Sequence, residues 1–396
     1  MVVPSFHFAQ KMRSVLAQGT ARDYHDGMKN AYLLAGLVAL CCLCAPLYAA
    51  GTTFYFVDVG HGNSTFVVTP AGEVIVLDAG PPQAADRILA FMSQNAITKI
   101  DYMVVSHFEG DHMSAVPRIA ARVPIANFVD HGKNVTYGKN DDWWRDRRGP
   151  WMRGNGWGRH SDELYDAYLK AREKGHYIPV KAGDRIPAKG VELTVVTAAG
   201  KVIAHPLVKA APTPAACATA DHRADDDAED QQSVGVVLRD GKFRFVYLGD
   251  LTWNPAISLF CPTNLVGPVD AYLVTHHGQS MTQDLTPYYY GLSCCPPAEV
   301  EALHPRAAIL SMGAQGHKEA NAGTLERLLH TPGLDLWQTE LITGGGEKGV
   351  NAPEKFIANT GETTEQVPYI KMVAQSDGSF VITNSRNQFS KKYPAH

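Results

Sequence analysis

Four side chains that can bind metal lie within six residues of one another in the first third of the chain. They are His107, Glu109, Asp111 and His112. Imidazole nitrogens and carboxylate oxygens at this density suit a divalent ion such as Zn²⁺. Paired ligands on one helical face are spaced by four residues, whereas His107 and His112 are five residues apart. The spacing therefore predicts a turn that folds its ligands around two points, and we interpret this turn as the active site.

Three predicted strands end in residues of this kind. The strand at residues 102–105 ends at the turn, and a predicted helix at residues 113–122 follows it. A second predicted strand, at residues 243–248, ends at Asp250, and a third, at residues 270–275, ends at His276. Ligands in open α/β sheets gather at the carboxyl ends of strands. One such ending is usually structural, but three in series predict an assembled metal site.

The composition is that of a globular protein. The chain has 396 residues, 45% of them hydrophobic, which is ample for a packed core. The formal net charge of -4 shows no overall preference for nucleic acid or membranes. Any electrostatic recognition of a charged partner must therefore be local.

The first fifty residues read as a secretory signal. An apolar run at residues 31–45 follows Lys29, and small residues suitable for cleavage lie at residues 46–50. A retained membrane anchor is the alternative, because the run with its flanks approaches the roughly 20 residues that span a bilayer. A lipoprotein is less favoured, since Leu40 precedes Cys41. We expect a periplasmic or extracellular protein that is not inserted in the membrane once the leader is cleaved.

Four cysteines remain after the leader. They are Cys217, Cys261, Cys294 and Cys295. In an exported protein an even count favours one or two disulfides, and four cysteines permit three pairings. They lack the paired spacing of a zinc site.

The rest of the chain divides into a catalytic domain and an extension. We predict a domain at residues 51–345 with irregular insertions near residues 133–160 and 205–230. The first insertion is rich in Trp and Arg and is either a substrate-binding lid or an ordered loop with its own aromatic cluster. Asp240-Gly241 predicts a hairpin turn before Asp250. Residues 346–396 are expected to be an extension with a hairpin.

An ordered set of motifs between about residues 53 and 330 resembles the metallo-β-lactamase superfamily. Within it the sequence is most similar to the exported metallohydrolase domain of competence (ComEC-like) proteins. The motifs are Asp58-Val59-Gly60-His61-Gly62-Asn63-Ser64, His107-x-Glu109-x-Asp111-His112, Gly249-Asp250 and His276-His277-Gly278-Gln279-Ser280. The resemblance implies an α/β (α+β) fold, the four-layer αββα sandwich.

The resemblance also implies a ligand set for two metal ions. His107 and Glu109 would bind the first ion, Asp111, His112 and His276 the second, and Asp250 both. Asp78 matches an aspartate that braces the ligand turn from behind.

Three positions depart from the family pattern. Glu109 stands where most members have His, so that one or two Zn²⁺ ions are expected but Mn²⁺ is possible. The family's middle histidine is missing, and the third ligand of the first ion is His131, Asp230 or none. Asn63 replaces an aspartate in the opening motif, where we expect hydrogen bonding rather than metal binding.

These features predict an exported metal-dependent hydrolase that cleaves phosphodiester bonds with a metal-activated hydroxide. Asp111 would orient the hydroxide, and His277 or His317 would protonate the leaving group or hold an anionic substrate. The partner would be a small phosphodiester or a nucleic acid, and the oligomeric state is open. The alternatives are a hydrolase of another ester or amide, such as a lactam, and a non-catalytic binding protein with a degenerate metal site.

Overall fold

The computed structural model describes most of the chain after the predicted leader. The described ranges are residues 51–148, 157–209, 211–225, 227–279, 293–313, 322–343, 350–362 and 364–395. The leader prediction for residues 1–50 lies outside them, as does the catalytic candidate His317. Gly51–His396 forms one compact unit.

The strands are numbered along the chain. They are β1 Thr52–Val57, β2 Thr65–Val68, β3 Val74–Leu77, β4 Ile100–Val104, β5 Ile125–Asp130, β6 His176–Pro179, β7 Arg185–Ile186, β8 Glu192–Ala198, β9 Lys201–Val202, β10 Gly235–Asp240, β11 Phe243–Tyr247, β12 Ala271–Leu273, β13 Ala307–Leu310, β14 Asp335–Glu340, β15 Ile357–Asn359, β16 Tyr369–Ala374, β17 Phe380–Asn384 and β18 Ser390–Tyr393.

The helices lie between strands. They are α1 Ala85–Gln94, α2 Gly110–Met113, α3 Val116–Ala120, α4 Asp141–Arg148, α5 Trp157–Arg172, α6 Trp253–Phe260, α7 Pro297–Leu303 and α8 Ala322–His330. Short 3₁₀ helices occur at Pro82–Ala84, Ala215–Thr219, Asp230–Gln232, Thr275–Gly278 and Glu354–Phe356.

Two large sheets organise the described residues. The first has the order β18-β17-β16-β1-β2-β3-β4-β5-β6, and β3 to β6 run parallel. The second has the order β15-β14-β13-β12-β11-β10-β8-β7, with β9 paired to β8, and β11 to β15 run parallel. Because parallel strands end at the same edge of a sheet, each sheet brings several strand ends together.

Apolar side chains from both sheets fill the space between them. Phe54 of β1 lies 4.8 Å from Phe245 and 5.9 Å from Phe243 of β11, measured between ring centroids. All three rings are fully buried. Each aromatic side chain removes about 150–250 Å² from water, so this contact contributes strongly to holding the sheets face to face.

Helices cover the outer face of each sheet. Ile88 of α1, Ile119 of α3 and Tyr168 of α5 pack on the first sheet. Leu259 of α6 and Leu328 of α8 pack on the second. The layers are therefore helix, sheet, sheet and helix. The predicted α/β fold class is confirmed, and the two sheets are consistent with the metallo-β-lactamase sandwich.

The carboxyl-terminal segment is built into the first sheet. β16 pairs with β1 along its whole length, from Thr52 opposite Ala374 to Val57 opposite Tyr369. The region expected to be an extension thus supplies β16, β17 and β18 to the sheet that carries the ligand turn. The hairpin predicted at Asp240-Gly241 is confirmed, since β10 and β11 pair up to that turn.

Two disulfides occur in the described residues, Cys217–Cys261 and Cys294–Cys295. The second joins neighbouring residues and lies beside the turn that carries His276, since Cys294 N donates to Gln279 O at 2.8 Å. In the part of the chain that the structure describes, no helix is both long enough and apolar enough to cross a membrane.

Candidate metal centre

The ends of parallel strands from both sheets meet at one place. In the first sheet, Asp78 follows β3 and His107 follows β4. In the second sheet, Asp250 follows β11 and His276 follows β12. The backbone ties the sheets together here, because Val234 N donates to Ser106 O at 2.8 Å. The fold therefore gathers side chains that lie far apart in sequence.

His107, Asp230 and Asp250 form a first group of potential ligands. One ligand atom from each lies within 4.8 Å of the others, and all three residues are buried. His107 Nε2 is 3.4 Å from Asp230 Oδ1. The group contains one imidazole and two carboxylates, so it is rich in oxygen.

Asp111, His112, Asp250 and His277 form a second group. His112 Nε2 lies 3.2 Å from Asp250 Oδ2 and 3.6 Å from Asp111 Oδ2. His277 Nε2 lies 3.6 Å from each of the same two carboxylate oxygens. Two imidazole nitrogens and two carboxylates thus converge, a set that suits Zn²⁺.

Asp250 belongs to both groups. A carboxylate that offers one oxygen to each of two neighbouring ions is the usual bridge in two-metal hydrolases. Asp250, which the sequence predicted as the bridge, is the residue that the two groups share.

Asp78 sets the orientation of the ligand histidines from behind. Its carboxylate accepts hydrogen bonds from Ser106 N and Ser106 Oγ, both at 2.7 Å, and lies 2.5 Å from His112 Nδ1. Tyr247 Oη also donates to it. With Nδ1–H directed at Asp78, His112 presents the lone pair of Nε2 to the second group.

Ser106 performs the same task for His107. Its hydroxyl donates its one proton to Asp78, so it accepts from His107 Nδ1 at 2.9 Å. His107 Nε2 is then unprotonated. This atom is buried and has no hydrogen-bond partner among the residues that the structure describes, although buried polar atoms are nearly always satisfied. An acceptor facing the Asp230 carboxylate calls for a cation, so the residues fit a bound divalent ion.

The electrostatics of His107 and Asp250 agree with this fit. Burial together with the neighbouring His112 holds the pKa of His107 well below its usual range, so its imidazole is neutral. Burial opposes ionisation of Asp250, but His112, His276 and His277 outweigh it and hold the pKa of this carboxyl well below its usual range. Neutral imidazole and ionised carboxylate are the forms that bind metal. In the second group burial lowers the pKa of His112 and His277, but Asp250 and Asp111 outweigh it and raise both values, so an ion bound there would displace protons.

The turn at Thr275–Gly278 supplies two histidines in an unusual backbone conformation. His276 and His277 have φ values of 46° and 52°, in the left-handed region that L-residues rarely adopt. His277 Nδ1 donates to Ser311 O at 2.7 Å, which directs Nε2 at the second group. The strain is held by contacts with the neighbouring strand end, as at many functional sites.

The structure brings most of the predicted site residues together. His107, Asp111, His112 and Asp250 lie in the two groups, and so does His277, which was predicted as a proton donor. His276, a predicted ligand, has Nε2 3.5 Å from Asp250 Oδ2, although it is in neither group. Among the described residues, Glu109 is in neither group either. It is the residue before α2, and it is only partly buried.

The two candidates for the third ligand of the first ion lie in different surroundings. Asp230 is in the first group. His131, the other candidate, instead lies with Nε2 3.0 Å from Glu229 Oε2. The signal for Asp230 was its place, three residues before Ser233, where the family's middle histidine would be expected. Asn63 makes hydrogen bonds as predicted, donating to Leu77 O at 2.9 Å.

His61 is a site residue that the sequence reasoning missed. Its Nε2 lies 3.2 Å from Asp111 Oδ2. The adjacent Gly62, with φ of +116°, passes so close that a Cβ would collide with Asp111 O. The opening motif therefore places His61 against the ligand turn, and the glycine pattern around it was the available signal.

The first insertion is more ordered than predicted. It contains α4 and the start of α5, and residues 149–156 lie outside the described residues. Trp144 is buried and its ring meets that of Trp143 edge-on, with centroids 5.3 Å apart. This part of the insertion has an aromatic cluster of its own.

Replacing Asp78 by Asn should weaken metal binding at both groups about 10- to 100-fold, because Ser106 and His112 lose the acceptor that orients them. Competition with a chromophoric chelator measures the affinity. Asp101→Asn is the matched control. The Asp101 carboxylate also accepts a backbone hydrogen bond, from Val74 N at 2.8 Å, but it lies at the amino end of β4, away from the ligand turn. Equal affinity in Asp78→Asn and the unmodified protein would contradict the assigned role.

Comparison with known proteins gives one family match. Residues 57–222 match the sequence model of the metallo-β-lactamase superfamily. Endoribonuclease ysh1 of Aspergillus fumigatus is 28% identical over 90 residues, which cover 21% of this chain and 10% of the relative. Endoribonuclease YSH1 of Saccharomyces cerevisiae is 29% identical over 94 residues, which cover 22% of this chain and 12% of the relative.

Comparison with solved structures finds the Rm3 metallo-β-lactamase, which is 13% identical in sequence and superposes with a TM-score of 0.32. The match covers 74% of this chain and 77% of that chain. The diiron β-hydroxylase CmlA of Streptomyces venezuelae has 16% identity, a TM-score of 0.37 and coverage of 67% and 45%. The family match over residues 57–222, which contain the ligand turn, supports a metallo-β-lactamase superfamily domain in this chain.

Proposed function

We propose that this chain is an exported metal-dependent hydrolase that cleaves phosphodiester bonds. The observation that carries the proposal is the pair of buried ligand groups that share Asp250. Residues that hold two neighbouring ions would suit in-line displacement at phosphorus, because such ions would stabilise both the attacking and the leaving oxygen.

When bound, the ions supply Lewis acidity toward a substrate oxygen and lower the pKa of water. The oxygen-rich first group, with one imidazole, accepts a hard ion such as Mn²⁺, and the second group suits Zn²⁺. His107, Asp230 and Asp250 would hold one ion, and Asp111, His112, His277 and Asp250 the other.

Asp111 is the residue placed to orient the attacking water. Burial opposes its ionisation, but His112, His277 and His61 outweigh it and hold its pKa well below the usual range. Its side chain is 21% exposed and that of His61 is 42% exposed, whereas Asp250 is 6% exposed. Water and substrate therefore reach the second group beside Asp111 and His61.

The choice of a phosphodiester rests on the relatives. The relatives from Aspergillus fumigatus and Saccharomyces cerevisiae, which match over 90 and 94 residues, are named endoribonucleases. An endoribonuclease cleaves phosphodiester bonds. The matched segments are short, so the proposal transfers only the class of bond and not an RNA substrate. A nucleic acid and a small phosphodiester are both substrates of this class.

Replacing Asp111 by Ala should lower the hydrolysis of bis(p-nitrophenyl) phosphate about 10²- to 10⁴-fold, the range for loss of a residue that positions or accepts a proton. The assay uses protein loaded with Zn²⁺ or Mn²⁺, and a chelator should abolish turnover. Asp86→Ala is the control, because Asp86 is exposed and pairs only with surface arginines in the described chain.

Substrate panels decide between reaction classes. Turnover of a carboxylic ester or a lactam but of no phosphodiester would contradict the proposal. The absence of turnover on every panel with both metals would favour a binding protein instead.

Export is the second part of the proposal. The apolar run at residues 31–45 supports it, as do the Cys217–Cys261 and Cys294–Cys295 disulfides, since disulfides persist in oxidising compartments. Expression in a bacterium followed by fractionation should place a shortened protein outside the cytoplasm. Mass spectrometry should show cleavage after the apolar run. A full-length cytoplasmic product with free thiols would contradict export.

A further inference from the structure

We infer that Glu229 is a positioning residue that assembles the first ligand group. The inference rests on the proposed metal-dependent function, because it concerns how one ion is held. Glu229 would not touch the ion or the substrate. Its role would be to fix the distance between two ligands carried by separate segments of the chain.

The Glu229 carboxylate is fully buried and binds three donors from two other segments. Oε2 accepts from Phe108 N at 3.0 Å and lies 3.0 Å from His131 Nε2. Oε1 accepts from Val135 N at 2.6 Å. The side chain therefore fastens its own loop to the turn after β4 and to the loop after β5.

The turn after β4 and the loop that carries Glu229 itself each provide a ligand of the first group. Phe108 directly follows His107, and Asp230 directly follows Glu229. One carboxylate thus joins the two residues whose ligand atoms, His107 Nε2 and Asp230 Oδ1, are 3.4 Å apart. Losing this link would let the Asp230 loop move away from His107 and would leave Asp250 and one histidine to hold the ion.

Stability alone gives a weak reason for a carboxylate at this position. A buried charge carries a desolvation cost, and well-packed apolar replacements of buried charges are often neutral or stabilising. The three donors offset that cost, and the geometry they impose is the geometry of the first group. A role in positioning the ligands therefore explains why a buried carboxylate occupies this position despite its desolvation cost.

Asp130 provides a matched control. It is equally buried, and its carboxylate accepts from Tyr168 Oη at 2.7 Å, Arg172 Nη1 at 2.8 Å and Tyr177 Oη at 2.9 Å. These three partners belong to α5 and β6, and none is adjacent to a ligand of the first group. Gly132 N also donates to Asp130 Oδ1, at 2.8 Å, and Asn at position 130 keeps one acceptor oxygen for it. Asp130→Asn therefore reports the cost of disturbing a buried carboxylate without disturbing the first group.

The test compares metal binding in Glu229→Gln, Asp130→Asn and the unmodified full chain. Gln keeps the size of Glu but replaces one acceptor oxygen by a donor, so one of the three hydrogen bonds is lost. Equilibrium dialysis with Co²⁺ counts bound ions, and the Co²⁺ visible spectrum reports the ligands around each. We expect two ions in the unmodified chain. In Glu229→Gln one site should weaken about 10- to 100-fold, with loss of one spectral component.

The outcomes separate the inference from the proposed function. Two unweakened sites in Glu229→Gln would overturn the inference, as would equal weakening in Asp130→Asn. No bound ion in the unmodified chain would instead overturn the proposed function. If Glu229→Gln does not fold, His131→Phe serves in its place, because it removes one donor and keeps the ring that packs on Phe108 with centroids 4.5 Å apart. A weakened first site in that variant supports the inference, and an unchanged one overturns it.

Discussion

The close approach of buried carboxylates and imidazoles around Asp250 is the constraint on which the rest of the site depends. The Asp250 carboxylate belongs to both ligand groups and is almost fully shielded from water. Buried charge is costly unless it is paired or coordinates a metal. Here some atoms that face each other are both hydrogen-bond acceptors, for example His107 Nε2 and Asp230 Oδ1, so neither can donate to the other. Divalent ions between them would turn a costly arrangement into a favourable one, which links metal binding to stability.

The fold meets this constraint by supplying ligands from both sheets and bracing each from behind. Asp78 and Ser106, from the first sheet, fix which nitrogen of His107 and His112 faces the site. In the second sheet, Ser233 Oγ accepts from Asp250 N at 3.1 Å and so holds the residue common to both groups. Hydrogen bonds from residues of the same sheet therefore hold His107, His112 and Asp250 in place.

The sequence predicted the sandwich because its strands are apolar runs bounded by turn residues, and because the motifs that end them occur in a recognisable order. It predicted the placement of Asp250 for the same reason, since Asp240-Gly241 defines the hairpin before it. It did not predict that β16 to β18 join the first sheet, because pairing between residues 52–57 and 369–374 is a contact across most of the chain. Nor did it predict that His277 lies in the second group, since the side-chain directions of adjacent histidines depend on the backbone angles of their turn. Asp230 could be placed only once the loop that Glu229 fastens was seen in three dimensions.

Metal content is the most direct test of the shared-carboxylate centre. Elemental analysis of purified protein, after dialysis against Mn²⁺ or Zn²⁺, should find two ions per chain. Asp250→Asn should lose both, because it supplies a ligand to each group, whereas Asp230→Asn should lose one. The account would be contradicted if Asp250→Asn kept one tightly bound ion, or if the unmodified protein bound no ion.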